Sequence, residues 1–117
     1  GELLDKISIL EIKQEKIKNA ESLKFIKDEY NVLKVELDKN IKIDGNLKNL
    51  FNSLKEINSK LWVIEDDKRI CEKNKDFSEK FIKLSRDVHF LNDKRAKIKL
   101  EINNYTGSSI KEMDWTR

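Results

Sequence analysis

The sequence predicts an all-α chain, an antiparallel bundle of three long helices with coiled-coil-like packing. Proline is absent and glycine occurs three times in 117 residues, which leaves little turn chemistry for a sheet. Lysine, glutamate, aspartate, leucine and isoleucine are in excess, and apart from β-branched isoleucine and aspartate these are good helix formers. The third observation is a heptad seam: Phe77, Phe81, Leu84, Val88, Leu91, Arg95, Ile98, Ile102 and Tyr105 recur at steps of four and three. That spacing lays one stripe along a helix which must lie against other helices, and Arg95 is the only charge in it.

The first helix is expected over residues 2–40. It carries Leu3, Ile7, Leu10, Gln14 and Ile17 in one register, then Leu23, Ile26, Tyr30, Leu33 and Leu37 in another. The six-residue step from Ile17 to Leu23 is a shortened repeat, which overwinds or bends a helix. Asn19 is a good N-cap and Glu21 suits a first turn, but with no glycine or proline there a bend near Asn19 is preferred to a reversal. Asp44-Gly45 supplies a turn, and Asn46 can cap a second helix to about residue 73, striped by Leu47, Leu50, Leu54, Ile57, Leu61, Ile64 and Lys68. Asp76 or Ser78 then caps the third helix, near 77–105, and Gly107 closes it. Residues 1–107 thus form one bundle domain and 108–117 a C-terminal tail, with Ile110, Met113 and Trp115 docked loosely on the bundle.

Short connections make consecutive helices antiparallel, and counting outward from residue 75 brings Arg95 level with Glu56 and Arg86 level with Glu65. A straight first helix would leave Leu3, Leu4, Ile7, Leu10 and Ile12 overhanging the hairpin. So apolar a segment either pairs with a second copy, giving the homodimer expected here, or folds back at Asn19, which would bring Glu11 near Asn92 and Arg95.

Charge and rare residues exclude several classes. Charged residues make up 40% of the chain, yet the net charge is only +3 and both signs are interspersed, so no basic stripe for nucleic acid exists. No apolar run approaches membrane-spanning length and no secretory signal opens the chain, so membrane insertion is not expected and a cytoplasmic protein is. Cys71 is the one cysteine and His89 the one histidine, too few for a structural zinc site or an internal disulfide. No metal and no cofactor are expected.

Three stretches together resemble a known family: Gly1-Glu2-Leu3-Leu4-Asp5-Lys6 continuing to Lys13, Leu61-Trp62-Val63-Ile64-Glu65-Asp66-Asp67-Lys68-Arg69, and Asn92-Asp93-Lys94-Arg95 continuing to Asn103. They resemble a small family of bacterial helical proteins known only as a domain of unknown function. The resemblance implies a cytoplasmic helical protein, some members being associated with glycosyltransferase genes of surface-polysaccharide synthesis, and it carries no catalytic residue with it.

Beside the apolar seams these stretches place a candidate polar cluster: Glu11, Gln14, Glu65, Asp66, Arg69, Asn92, Asp93 and Arg95. Such residues can fix helix register, since a half-buried arginine needs carboxylate partners. They can equally form a site between helices for a phosphorylated sugar or nucleotide, with carboxylates holding Mg²⁺. The lone histidine removes the Glu-x-x-His pairs of a di-metal bundle. Leu4-Asp5-Lys6-Ile7 is also faintly similar to the opening of all-helical chorismate mutases, but their dicarboxylate chemistry needs converging cations, and the first segment contains no arginine. The leading expectation is a non-enzymatic interaction or scaffold protein, possible partners being a second copy or another protein; the alternative is a small enzyme or ligand-binding protein.

Overall fold

The structure is a computed structural model and describes residues 2–106, so Gly107 and the tail with Ile110, Met113 and Trp115 lie outside the described residues. It contains four helices, α1 (Glu2–Lys16), α2 (Ala20–Asn40), α3 (Gly45–Lys73) and α4 (Glu79–Thr106), and no strand among the described residues. The first segment is therefore not one bent helix but two, and the bundle has four members where three were expected.

The register slip at Asn19 becomes a reversal. Asn19 is in an extended conformation (φ −70°, ψ 122°) and its side-chain oxygen accepts a hydrogen bond from the Ser22 amide at 3.0 Å. One extended residue with a capping side chain satisfies the start of α2, so neither glycine nor proline is needed. The gain lies in burial: Leu3, Leu4, Ile7, Leu10 and Ile12 each keep at most 5% of their surface exposed. Each such side chain is worth about 1.5–3 kcal/mol when removed from water. The side chains on which the expected association rested are thus buried within their own chain.

α3 is capped by Asp44 rather than Asn46, the Asp44 carboxylate accepting from the Leu47 amide at 2.9 Å. The same carboxylate accepts the Tyr105 hydroxyl hydrogen bond, tying the end of α4 to the start of α3. Near the other end Lys68 lies 5.7 Å over the Phe81 ring, so α3 and α4 run antiparallel. Their five-residue connection contains Lys75 at φ 54°, in the left-handed region. The seam of α4 keeps its expected register: Phe81, Leu84, Val88, Leu91, Arg95 and Ile98 are half-buried and Ile102 is fully buried. Phe77 precedes the helix and, like Tyr105, is exposed.

The apolar core sits at one end of the molecule. Leu3, Leu4, Ile7, Leu37, Leu47, Leu54 and Ile102 form it, with Tyr30, Leu33, Leu50, Phe51 and Ile98 packed around it. All come from α1, α2 and the halves of α3 and α4 away from their turn. α3, with 29 residues, is about 43 Å long and sets the 47 Å long axis of the molecule. The turn-proximal part of the α3–α4 hairpin extends past the core with little to cover it, and Val63, Ile70, Phe77, Ile82 and Phe90 there are about half exposed or more.

Candidate functional site

Arg95 is the charge that the seam forces against neighbouring helices, and its partner is Asp5 of α1. Nε donates to Asp5 Oδ1 at 3.0 Å and Nη2 to Oδ2 at 2.5 Å, a two-point grip of the kind guanidinium and carboxylate planes favour. Asp5 is 4% exposed. Asn58 of α3 donates both amide hydrogens inward, to Asp5 Oδ1 at 2.9 Å and to Ser8 Oγ at 2.8 Å, while the Ser8 hydroxyl donates to the Asp5 carbonyl at 2.7 Å. Lys99 Nζ is 3.8 Å from Asp5 Oδ2 and 2.5 Å from Glu2 Oε1. Burial pushes the Asp5 carboxyl up, but hydrogen bonds from Arg95 and Asn58 and the charges of Arg95 and Lys99 outweigh it and hold it below the usual carboxylate range. The hydrogen bond to Asp5 raises the Arg95 guanidinium further, against its own burial.

This network is the corner where α1 crosses α3 and α4, and beside it opens a groove of about 550 Å³. Ile9 and Ile12 of α1, Leu61 of α3 and Val88 of α4 supply its apolar lining; Asn58, Trp62, Glu65, Arg69, Asn92 and Arg95 supply its polar lining. Four of the residues expected in a polar cluster, Glu65, Arg69, Asn92 and Arg95, thus come together.

The other expected members do not join them. Glu11 faces away from Asn92 and Arg95, pairing with Lys55 at 3.0 Å and accepting the Tyr30 hydroxyl at 3.1 Å. Asp66 pairs with Arg69 one turn on, at the surface. Asp93 is exposed and lies 3.6 Å from His89. Gln14 keeps a buried side-chain nitrogen without a partner among the described residues. Glu56, expected opposite Arg95, pairs instead with Lys60 at 3.4 Å on its own helix. Cys71 is buried while the His89 side chain is 74% exposed, so the two do not form a nucleophile pair.

Sequence reasoning missed Asp5, Ser8 and Asn58. Their signal was present: Asp5, Ser8 and Ile12 share one face of α1 at steps of three and four, beside the apolar stripe rather than opposite it.

The groove's charges nearly cancel. Asp5 neutralises Arg95 and Asp66 neutralises Arg69, which leaves Glu65 as the only lining carboxylate and a balance of about −1. Trp62, Glu65 and Asn92 make no hydrogen bond or ion pair among the described residues, and the Nη1 edge of Arg95 is likewise unused. Among the described residues no three His, Cys, Asp or Glu side chains converge as metal ligands, and no helix is long and apolar enough to cross a membrane.

No curated protein and no solved structure matches the chain. A family model does match, over residues 1–115, so the chain belongs to DUF6165, a family of unknown function.

Proposed function

We propose that the protein is a non-enzymatic interaction protein whose α3–α4 hairpin is the docking element. The observation that carries this is the hairpin's extension beyond the core with Val63, Ile70, Phe77, Ile82 and Phe90 left in water. Phe25, Val32 and Val35 of α2 are comparably exposed, but only on the hairpin do the apolar side chains sit on an element that projects past the core, where a partner can reach both helices. From the resemblance alone comes the further expectation that the protein is cytoplasmic and serves surface-glycan assembly. A photo-crosslinking residue at position 82, with one at exposed Phe25 of α2 as control, tests the docking reading in cells. A discrete adduct from position 82 only, identified by mass spectrometry and rebuilt from purified components, is expected; equal adducts from both positions or none from either refute it.

The convergence of Trp62, Glu65, Asn92 and the Arg95 edge in one groove favours a second reading, a small-ligand site. Its balance of about −1 disfavours phosphorylated compounds and suits an uncharged molecule that both donates and accepts hydrogen bonds.

A further inference from the structure

The hairpin has two flanks. One holds the polar groove; the other is centred on Val63, Ile64, Phe90 and Leu91, with Glu56 and Lys60 on α3 and Asp87 and Lys94 on α4 around them. Val63 is 49% and Phe90 61% exposed. We propose that this second flank docks a second copy of the chain, two hairpins closing into a four-helix bundle about a two-fold axis parallel to the hairpin. The proposal rests on the docking reading above and names its partner.

Charge placement selects a second copy. Each helix of the flank carries one acid and one base, so the surface is neutral and can complement itself. Under a two-fold along the hairpin, α3 of one copy lies over α4 of the other at the same level. Counting back along both helices from the turn then places Glu56 level with the partner copy's Lys94 to within about one turn, and Lys60 within side-chain reach of the partner copy's Asp87. Val63 lies over the partner copy's Phe90. Today's partners, Lys60 for Glu56 and Lys83 for Asp87, are exposed pairs on the same helix, which constrain little and can exchange. The flank is two helices wide, about 20 Å, and about 12 Å long from Glu56 to Ile64; continued to the end of α3 at Lys73 it is about 26 Å long and covers on the order of 500 Å² in projection. Its accessible surface exceeds its projection and so approaches the roughly 800 Å² per partner of a standard interface.

Sedimentation velocity of the full chain from about 1 to 300 µM tests the proposal, alongside circular dichroism of each variant to confirm its fold. Expected are a sedimentation coefficient that rises with concentration, a Phe90→Asp variant at least tenfold weaker in association, and an unchanged Phe25→Asp control. Lys94→Glu sets like charges opposite each other and weakens the dimer, and adding Glu56→Lys restores it, since the swap regenerates both pairs across the axis. A monomer throughout, or a dimer indifferent to Phe90→Asp and Lys94→Glu, overturns the proposal. If the position-82 adduct to another protein persists in that case, the docking reading survives and only the second copy falls.

Discussion

Replacing Arg95 by leucine discriminates most sharply among accounts of the central network. A leucine fits the apolar stripe, and were the carboxylate partner solvated the change would be neutral or stabilising. Asp5 is not solvated: its side chain is 6% exposed, against 29% for Arg95. Removing the arginine leaves a buried carboxylate with only Asn58 and Lys99, the latter at 3.8 Å and shared with Glu2, whereas removing the carboxylate leaves an arginine that can turn towards water. Breaking a buried pair from one side costs about 3–5 kcal/mol, and the partial solvation of Arg95 puts this site near the lower end, about 3 kcal/mol. Asp5→Asn keeps the shape and an acceptor for Asn58, and its cost is about 1–2 kcal/mol. The two variants also differ with pH. In the native protein the Asp5 carboxyl is held low, so its contribution is complete above the unfolded value of about 3.9 and is lost as pH falls through the lower folded value. In Arg95→Leu the main lowering influences are gone and burial raises the group, so the penalty is largest at pH 7 and shrinks towards pH 4.5 as the carboxyl takes up a proton. Urea unfolding followed at 222 nm at both pH values measures this. An Arg95→Leu protein as stable as the native one at pH 7, or a deficit unchanged at pH 4.5, refutes the stranded-carboxylate account.

Asn19→Ala removes the cap that starts α2 and is expected to cost about 1 kcal/mol in thermal unfolding. Leu54→Ala, at a fully buried position, is expected to cost about 2–5 kcal/mol, while Ile82→Ser on the open hairpin stays within about 0.5 kcal/mol; similar costs for both would contradict a core confined to one end. In a thermal-shift panel, uncharged polyols and saccharides are expected to stabilise the protein and phosphorylated ones are not, a ligand at a hundred times its dissociation constant adding about 2.7 kcal/mol. Trp62→Ala should abolish that response, and stabilisation by phosphorylated compounds alone would reverse the assignment.

The helical class and the α4 stripe were legible because heptad spacing reports a buried face directly, whatever the partner helix is. The fault at Asn19 was equally visible as a six-residue step. Its outcome was not, since bend and reversal share the same local chemistry and differ in which tertiary contacts they purchase, here the burial of Leu3, Leu4 and Ile7. The same limit hid Asp5. Level-counting pairs helices adjacent in the chain, and so matched Arg95 with Glu56, but α1 reaches α4 only after the reversal brings it across α3. Glu65, Arg69, Asn92 and Arg95 were picked out as polar residues beside the stripes of α3 and α4, and the packing of those two stripes brings them to one groove.

The grip of Arg95 on Asp5 joins positions 90 residues apart, and Ile102 completes the core around Leu3 and Leu4. During synthesis the N-terminal helices leave the ribosome first. Their apolar faces then wait for α4, roughly 5–20 s at ordinary elongation rates. Until α3 emerges Leu3, Leu4 and Ile7 have only α2 to shelter against, and until α4 follows their core still lacks Ile102, so the nascent chain is exposed to chaperone capture and to aggregation long before the finished protein presents either hazard at this end.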